Sequence, residues 1–194
     1  MTHIVAFDFD GTLTSRDTLL MFILDAKGIR AFVKGFLYRL PLIVMMKLRL
    51  YPNYQAKEKV FSYFFKGMPL DTFNACCQHF ADTHRHLLRP EGVKTLEEAQ
   101  AAGADVLIVS ASIDNWVQPF FPGLSVIGTQ IEVKDGFLTG RFLTRNCYGQ
   151  EKVNRLLAMY PHRETYHLTA YGDSNGDREL LAFADEAYYK PFRQ

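Results

Sequence analysis

An apolar run that ends in two closely spaced carboxylates constrains this chain more than any other feature. The run Ile4–Phe7 leads directly into Asp8 and Asp10, which are separated by one residue. A short segment that is apolar throughout is typical of a strand buried on both faces of a parallel sheet. Open α/β sheets bind their ligands beyond the carboxyl ends of their strands. The sequence therefore predicts an α/β fold with a functional site where this strand ends.

The spacing of the two carboxylates predicts a cation site. Alternation along a strand directs Asp8 and Asp10 to the same side, where the two charges repel each other unless a cation lies between them. Hard oxygen ligands favour Mg²⁺. Gly11 permits a sharp turn whose backbone amides can face a bound anion. An EF-hand calcium loop does not fit, because it needs glycine at its sixth position and Gly11 is the fourth residue counted from Asp8.

The pattern Asp-x-Asp-Gly-Thr after a buried strand resembles the signature of haloacid dehalogenase (HAD) superfamily phosphatases. This resemblance implies that Asp8 is the nucleophile, which becomes an aspartyl phosphate during turnover. It implies that Asp10 is the general acid and base. It also implies that Asp8 and Asp10, the latter through its carbonyl group, contribute to a Mg²⁺ site, and that backbone amides after Asp8, at Gly11, face the phosphate.

Three further motifs of the same family follow in the expected order. The apolar strand 106–109 ends at Ser110, and the match implies that this hydroxyl binds phosphate. Lys152, at the head of a predicted helix, matches the lysine that bridges the nucleophile and the phosphate. The loop that follows the next strand resembles the family's acidic motif. In that motif Asp173 would ligate the metal, and Asp177 would ligate it or orient a ligand.

The long stretch between the first two predicted strands indicates an inserted domain. Residues 15–89 are helical in character and too numerous for a simple crossover helix. The resemblance, which is to the phosphoserine-phosphatase-like subfamily IB, likewise implies a helical cap of the C1 type. We expect a Rossmann-like open parallel sheet flanked by helices, formed by residues 1–14 and 90–194, with a small β-hairpin at Asp135. Three prolines are expected to divide the cap into several helices: Pro41, Pro52 and Pro69.

The substrate is the least defined part of this interpretation. Asp17 lies where related phosphatases place an acidic residue that contacts the substrate, and it could equally cap the helix that follows. Phosphoserine phosphatases usually carry two glycines after the serine that Ser110 matches, whereas Ala111 and Ser112 follow here. This departure favours a substrate other than phosphoserine. Two classes stay open: a soluble phosphorylated metabolite, and a lipid phosphate such as phosphatidylglycerophosphate.

The segment 26–57 has an unusual charge pattern. It contains seven basic residues and no acidic one, while the rest of the chain has 15 basic against 21 acidic residues. The same segment is strongly apolar. Three interpretations stay open: a helix that rests on an anionic membrane surface, a basic cap that steers a small phosphorylated molecule inward, and a solvated basic face over an ordinary cap core.

The bulk composition excludes several classes of protein. A net charge of +1 gives no global indication of nucleic-acid binding. The three cysteines lack the spacing of a disulfide framework or a metal site, which favours reduced thiols and a cytoplasmic location. No signal peptide is expected before the first strand, and no apolar run approaches the ~18 residues that span a bilayer. Peripheral contact with the inner face of the membrane, through residues 26–57, is compatible with these limits.

Together the four motifs predict a Mg²⁺-dependent phosphomonoester hydrolase that acts through an aspartyl phosphate. A hypothesis from another class is a non-catalytic, phosphate-dependent binding or regulatory module. Such a module would also place an acidic cluster, a hydroxyl and a lysine at strand ends. It would not need a second carboxylate at Asp10 or a cap of this size, so these features favour the enzyme.

Overall fold

The computed structural model describes residues 2–47 and 53–193, with backbone alone over residues 39–47 and at residue 53. The strands are β1 (Thr2–Phe7), β2 (Asp105–Ile113), β3 (Ser125–Thr129), β4 (Ile131–Lys134), β5 (Phe137–Phe142), β6 (Tyr166–Gly172) and β7 (Glu186–Tyr189). The helices are α1 (Leu19–Lys47), α2 (Asn53–Phe65), α3 (Leu70–Thr83), α4 (Pro90–Ala101), α5 (Asp114–Val117), α6 (Gln150–Met159) and α7 (Arg178–Phe183). Five strands form one sheet in the order β3-β2-β1-β6-β7.

The sheet is parallel at every pairing, and β1 lies at its centre. Alternate side chains of β1 serve two cores, because successive residues of a strand point to opposite faces. Val5 and Phe7 join a cluster that continues into the helical insertion, whereas Ile4 and Ala6 join a cluster beneath α6 and α7. All four side chains are buried. The predicted α/β fold with a doubly covered first strand is confirmed.

The helices α1, α2 and α3 form the insertion and share an aromatic core with the sheet. Phe22 of α1 stacks on Trp116 of α5 at a centroid distance of 4.8 Å, and Phe80 of α3 meets Phe120 edge-on at 5.9 Å. Aromatic rings at these separations bury large apolar areas and add specific edge and face contacts. The division into a core of residues 1–14 and 90–194 and a cap of residues 15–89 stays a prediction.

The break within α1 lies at a glycine and not at the expected proline. The helical backbone continues through position 41, so the prediction that Pro41 divides the cap is wrong. The helix instead breaks at Gly28, whose φ of 75° and ψ of 162° are non-helical. Glycine tolerates positive φ because it has no Cβ. Pro69 immediately precedes α3, as predicted, whereas Pro52 lies outside the described residues.

The β-hairpin predicted around Asp135 is present. Strands β4 and β5 pair antiparallel, with Lys134 opposite Phe137, and both turn residues, Asp135 and Gly136, have positive φ. That combination is the backbone of a tight two-residue hairpin turn. The three cysteines are free thiols, as predicted. None of the helices within the described ranges combines the length and apolar content needed to cross a membrane.

Candidate active site

The predicted site residues meet at one edge of the sheet because three neighbouring strands end there. Strand β1 pairs in parallel with β2 on one side and β6 on the other. Asp8 follows β1, Ser110 lies in the last part of β2, and Asp173 follows β6. The backbone N–H of Asp8 donates to the carbonyl of Tyr171 at 2.9 Å, which fixes the start of the turn. The convergence at strand ends is therefore built by the sheet itself.

Lys152 joins two of the predicted carboxylates. Its Nζ donates to Asp8 Oδ1 at 2.6 Å, to Asp177 Oδ1 at 2.6 Å and to the carbonyl of Val109 at 2.7 Å. The lysine is 1% exposed. It reaches the strand ends because α6 begins at the same edge of the sheet, just after Gly149. The bridge between Lys152 and Asp8, expected only from the family resemblance, is thus present as a direct contact.

The charges in this cluster do not cancel. Burial lowers the pKa of Lys152, but Asp8 and Asp177 outweigh it and raise the pKa above its ordinary value. Burial raises the pKa of Asp8 to about 7, although Lys152 opposes the rise. Burial also raises the pKa of Asp177, yet Lys152 and Ser174 bring it below its usual range. One ammonium shared by two carboxylates leaves an excess of negative charge.

Asp173 adds a third carboxylate to this cluster. One oxygen from each of Asp8, Asp173 and Asp177 lies within 4.8 Å of the other two. Asp173 Oδ1 is buried and has no hydrogen-bond partner among the described residues. Gly11, at φ +83°, allows this approach, because a Cβ there would stand 2.5 Å from Asp173 Oδ2. A buried, unpartnered carboxylate oxygen beside two more carboxylates fits a divalent cation with hard oxygen ligands.

Arg193 lies beside the acidic cluster, and the sequence analysis did not identify it. Its guanidinium forms an ion pair with Asp173 Oδ2. The preceding residue, Phe192, is buried, and its ring stacks on Tyr171 at 5.6 Å. Arg89 Nη1 donates to the Phe192 carbonyl at 3.0 Å. The segment that carries Arg193 is therefore packed against the core, and it holds a cation beside the predicted metal ligand.

The carboxylate of Asp10 lies apart from the three grouped carboxylates. Its Oδ1 accepts hydrogen bonds from the N–H and the hydroxyl of Thr18 at 2.8 Å and 2.7 Å, and its Oδ2 accepts one from the Ser112 hydroxyl. Burial raises the pKa of Asp10, and the negative charge of Asp17 raises it further, against the Ser112 and Thr18 hydrogen bonds. These contacts suit a proton-transfer role. Metal ligation by the Asp10 carbonyl stays a prediction.

The predicted phosphate-binding groups already have partners within the protein. Ser110 is buried, and its Oγ accepts a hydrogen bond from the Ser112 N–H at 3.0 Å. The N–H of Gly11 donates to Thr14 Oγ1 at 3.1 Å. A phosphate contact at Gly11 would require this hydrogen bond to be exchanged. The roles of Ser110 and Gly11 in phosphate binding therefore stay predictions.

Asp17 caps α1 in this structure. Its Oδ1 accepts a hydrogen bond from the N–H of Leu19 at 3.0 Å, and the residue is exposed. An acceptor side chain at this position satisfies one of the free N–H groups at a helix start. The helix-cap interpretation of Asp17 is thus supported by a contact, and a role in substrate binding stays a prediction.

Lys57 of α2 also reaches the site, and the sequence analysis identified it only as one of seven basic residues in its segment. Its Nζ donates to the carbonyl of Ala111 at 2.7 Å, beside Ser110. Burial lowers the pKa of Lys57, while the charges of Asp10 and Asp17 raise it. No pattern around Lys57 in the sequence distinguishes it from its basic neighbours. The structure shows a lysine from the helical insertion beside Ser110, the residue of β2 predicted to bind phosphate.

One protein family, one relative and several solved structures are similar to this chain. The family described as haloacid dehalogenase-like hydrolase matches residues 5–182. Protein CicA of Caulobacter vibrioides is 36% identical over 197 residues, which cover 98% of this chain and 86% of that protein. A Bordetella pertussis protein of unknown function superposes with a TM-score of 0.80 at 23% identity, over 94% of this chain and 87% of that one. A phospho-aspartyl intermediate analogue of phosphoserine phosphatase superposes with a TM-score of 0.62 at 21% identity, over 94% and 83%.

Proposed function

Because this chain belongs to the haloacid dehalogenase-like hydrolase family, we propose that it is a Mg²⁺-dependent phosphatase that hydrolyses phosphate monoesters through an aspartyl phosphate on Asp8. The observation that carries the proposal is the contact between Lys152 Nζ and Asp8 Oδ1 at 2.6 Å, within a cluster that also contains Asp173. A carboxylate that must attack a phosphate dianion needs nearby positive charge, because the two anions otherwise repel.

The residues present fit a divalent cation. Asp8 and Asp173 would hold it, and Asp10 would contribute its carbonyl. Both oxygens of Asp177 are engaged, one with Lys152 and one with the Ser174 hydroxyl and N–H groups. We therefore assign Asp177 the role of positioning Lys152 and the acidic loop. The bound ion would supply charge neutralisation between the nucleophile and the phosphate.

In the proposed mechanism, two successive displacements take place at phosphorus. The Asp8 carboxylate attacks in line, an acyl phosphate forms, and the ester oxygen leaves with a proton from Asp10. Asp10 then removes a proton from the water that attacks phosphorus, and free phosphate and the Asp8 carboxylate are released. Lys152 and Ser110 stabilise the charge on the transferring oxygens. The raised pKa of Asp10 lets it hold the proton that the first step requires.

The substrate belongs to one of two classes, a soluble phosphorylated metabolite or a lipid phosphate such as phosphatidylglycerophosphate. Ala111 and Ser112 replace the paired glycines typical of phosphoserine phosphatases, and the Ser112 hydroxyl is committed to Asp10. This supports a substrate other than phosphoserine. A cytoplasmic protein that contacts the membrane peripherally through residues 26–57 would suit the lipid class, and a freely soluble one the metabolite class.

Phosphate release measured with two matched substrate panels tests the function. We expect Mg²⁺-dependent release from soluble phosphomonoesters or from phospholipid phosphates in anionic vesicles, with loss on adding EDTA. Asp8→Asn should abolish release, whereas Asp82→Asn, an exposed aspartate on α3, should not change it. A single turnover in ¹⁸O-labelled water should place the label in the released phosphate and leave Asp8 unlabelled, because the water attacks phosphorus. Unchanged turnover by Asp8→Asn would refute the nucleophile, and no release from either panel would favour the binding-module alternative.

A further inference from the structure

The second half of α1 carries an apolar face that points away from the protein. After the break at Gly28, the positions Ile29, Val33 and Leu37 follow one another at intervals of four residues, so they lie along one side of the helix. Their exposed fractions are 61%, 45% and 66%. Scattered single apolar residues are normal on a surface, whereas a contiguous apolar row marks a site of interaction.

The orientation of this face is fixed by the packing of the opposite side of α1. Gly35 is buried against α2, and a Cβ there would stand 2.3 Å from the Phe64 ring and 2.6 Å from the Tyr63 ring. Tyr38 stacks on Tyr63 at 5.5 Å, which adds a second contact between the two helices. Because α1 is seated on α2 at such close range, it cannot rotate to bury the row of apolar side chains.

Positive charge flanks the apolar row. Arg30 and Lys34 each follow a member of the row by one residue, which places them about 100° further around the helix. Both are exposed. The whole segment 26–57 carries seven basic residues and no acidic one. A helix that is apolar on one side and basic on its flank is suited to the interface of an anionic bilayer.

We propose that the outer face of α1, formed by Ile29, Val33 and Leu37 and flanked by Arg30 and Lys34, docks the protein on a membrane surface that contains anionic phospholipids. Charge complementarity selects this occupant. A second copy docked through the same face would bring Arg30 and Lys34 of both copies together, and like charges at an interface repel. A nucleic acid would use the basic side chains and leave the apolar row unburied.

The docking face and the active site are carried by the same pair of helices. Helix α1 begins immediately after Thr18, which holds Asp10, and α2 carries Lys57, which donates to Ala111. Docking through α1 would therefore bring to the bilayer surface the same helical insertion that contacts the site. The docking itself does not need catalysis, whereas the step from docking to a lipid phosphate substrate rests on the proposed function.

Cosedimentation of the full chain with vesicles tests the docking. We expect binding to vesicles of equal parts phosphatidylglycerol and phosphatidylcholine, weak binding to phosphatidylcholine alone, and weakening with added salt. The triple variant Ile29→Gln, Val33→Gln, Leu37→Gln should weaken binding by about tenfold or more. The pair Arg30→Gln, Lys34→Gln should weaken binding to the anionic vesicles alone. A control triple variant with similarly exposed side chains elsewhere should bind like the wild type: Phe137→Gln, Leu143→Gln and Tyr189→Gln.

Further readouts separate docking from folding and from catalysis. Thermal unfolding of the α1 triple variant should match that of the control triple, because the altered side chains are exposed. Asp8→Asn should bind vesicles normally while losing turnover, so a failure of the proposed chemistry leaves the docking result intact. Absence of wild-type binding to anionic vesicles would overturn the docking proposal. So would full binding by the α1 triple variant, or a change confined to self-association of the protein.

Discussion

Lys152 Nζ lies 2.6 Å from Asp8 Oδ1, and the lysine is 1% and the aspartate 5% exposed. The same ammonium contacts Asp177 Oδ1 at 2.6 Å. Two carboxylates that share one cation in a site closed to water depend on that cation, since each would otherwise be a buried, uncompensated charge. The geometry of Asp8, the proposed nucleophile, is thus tied to the stability of this edge of the sheet.

Lys152→Met should destabilise the protein by about 3–5 kcal/mol at pH 8, the usual cost of removing one partner of a buried ion pair. Without the ammonium, the pKa of Asp8 and of Asp177 rises, so both take up protons more readily in the folded state. Since groups with a raised folded-state pKa favour the fold at low pH, the loss should shrink toward pH 5. Urea unfolding at the two pH values measures this, and Lys66→Met, at an exposed residue just after α2, is the control. An equal loss at both pH values would contradict the ion-pair explanation.

Gly11→Ala should weaken metal binding at the acidic cluster more than a comparable glycine substitution elsewhere does. A Cβ at Gly11 would stand 2.5 Å from Asp173 Oδ2, in addition to the strain of φ +83°. Gly123, at φ +89°, has nothing within 4 Å of its Cβ position and carries only the strain. We expect both variants to lose about 1–2 kcal/mol of stability. Mn²⁺ binding, measured calorimetrically, should weaken about tenfold or more in Gly11→Ala alone. Equal binding by the two variants would refute the packing argument.

Two substitutions near Asp10 should move its pKa in opposite directions. Ser112→Ala removes a hydrogen bond that stabilises the carboxylate, so the pKa should rise, whereas Asp17→Asn removes a negative charge that disfavours the carboxylate, so the pKa should fall. The limb of the kcat/KM profile that reports Asp10 should shift by roughly half a pH unit up and down, respectively. Shifts of the same sign in both variants would show that another group controls that limb.

Arg193→Gln should strengthen binding of divalent metal. The guanidinium pairs with Asp173, the predicted ligand whose other oxygen is buried without a partner, so it competes with a cation for the same charge. Because the arginine side chain is 43% exposed, we expect a modest gain of about two- to fivefold in Mn²⁺ affinity, measured calorimetrically without substrate. Arg178→Gln, which removes an exposed arginine paired with Glu179, should leave the affinity unchanged. Weaker binding by Arg193→Gln would instead make the arginine a support for the metal site.

Lys57→Met should lower kcat/KM for phosphate esters by roughly tenfold. The substitution removes the 2.7 Å contact between Lys57 Nζ and the Ala111 carbonyl, and with it a positive charge beside Asp10. Both losses act at the contact between the helical insertion and Ala111, the residue after Ser110. Lys57→Arg should recover part of the activity if charge is the requirement. Steady-state kinetics on a soluble ester measure both variants, and an unchanged kcat/KM in Lys57→Met would show that Lys57 does not contribute to turnover.

The sequence was sufficient to predict the site residues that lie at strand ends, because a local pattern of residues marks those ends. Apolar runs that end in Asp8, Ser110 and Asp173 indicate strand ends, and parallel strands bring such ends to one edge. Arg193 and Lys57 could not be found in this way. Arg193 meets Asp173 across 20 positions and Lys57 meets Ala111 across 54, so tertiary packing alone makes them neighbours.

Helix boundaries show the same limit of local reasoning. Proline is a strong helix breaker in isolation, yet the backbone stays helical through position 41 and breaks at Gly28 instead. Secondary-structure propensities are weak priors that packing overrides. In this chain, Gly35 seats α1 closely against the aromatic side chains of α2, and that contact is a tertiary one.

The stack of Phe22 on Trp116 limits how the helical insertion can move relative to the sheet. The two ring centroids lie 4.8 Å apart and link α1 to α5. The contact between Phe80 and Phe120 is a second aromatic link between the insertion and the sheet layer. Moving the whole insertion away from the sheet would separate both pairs of aromatic rings and expose their apolar surface to water. Local parting at the Lys57–Ala111 contact breaks a single hydrogen bond. Separating the insertion from the sheet as a whole therefore costs more than a local separation at the contact between Lys57 and Ala111.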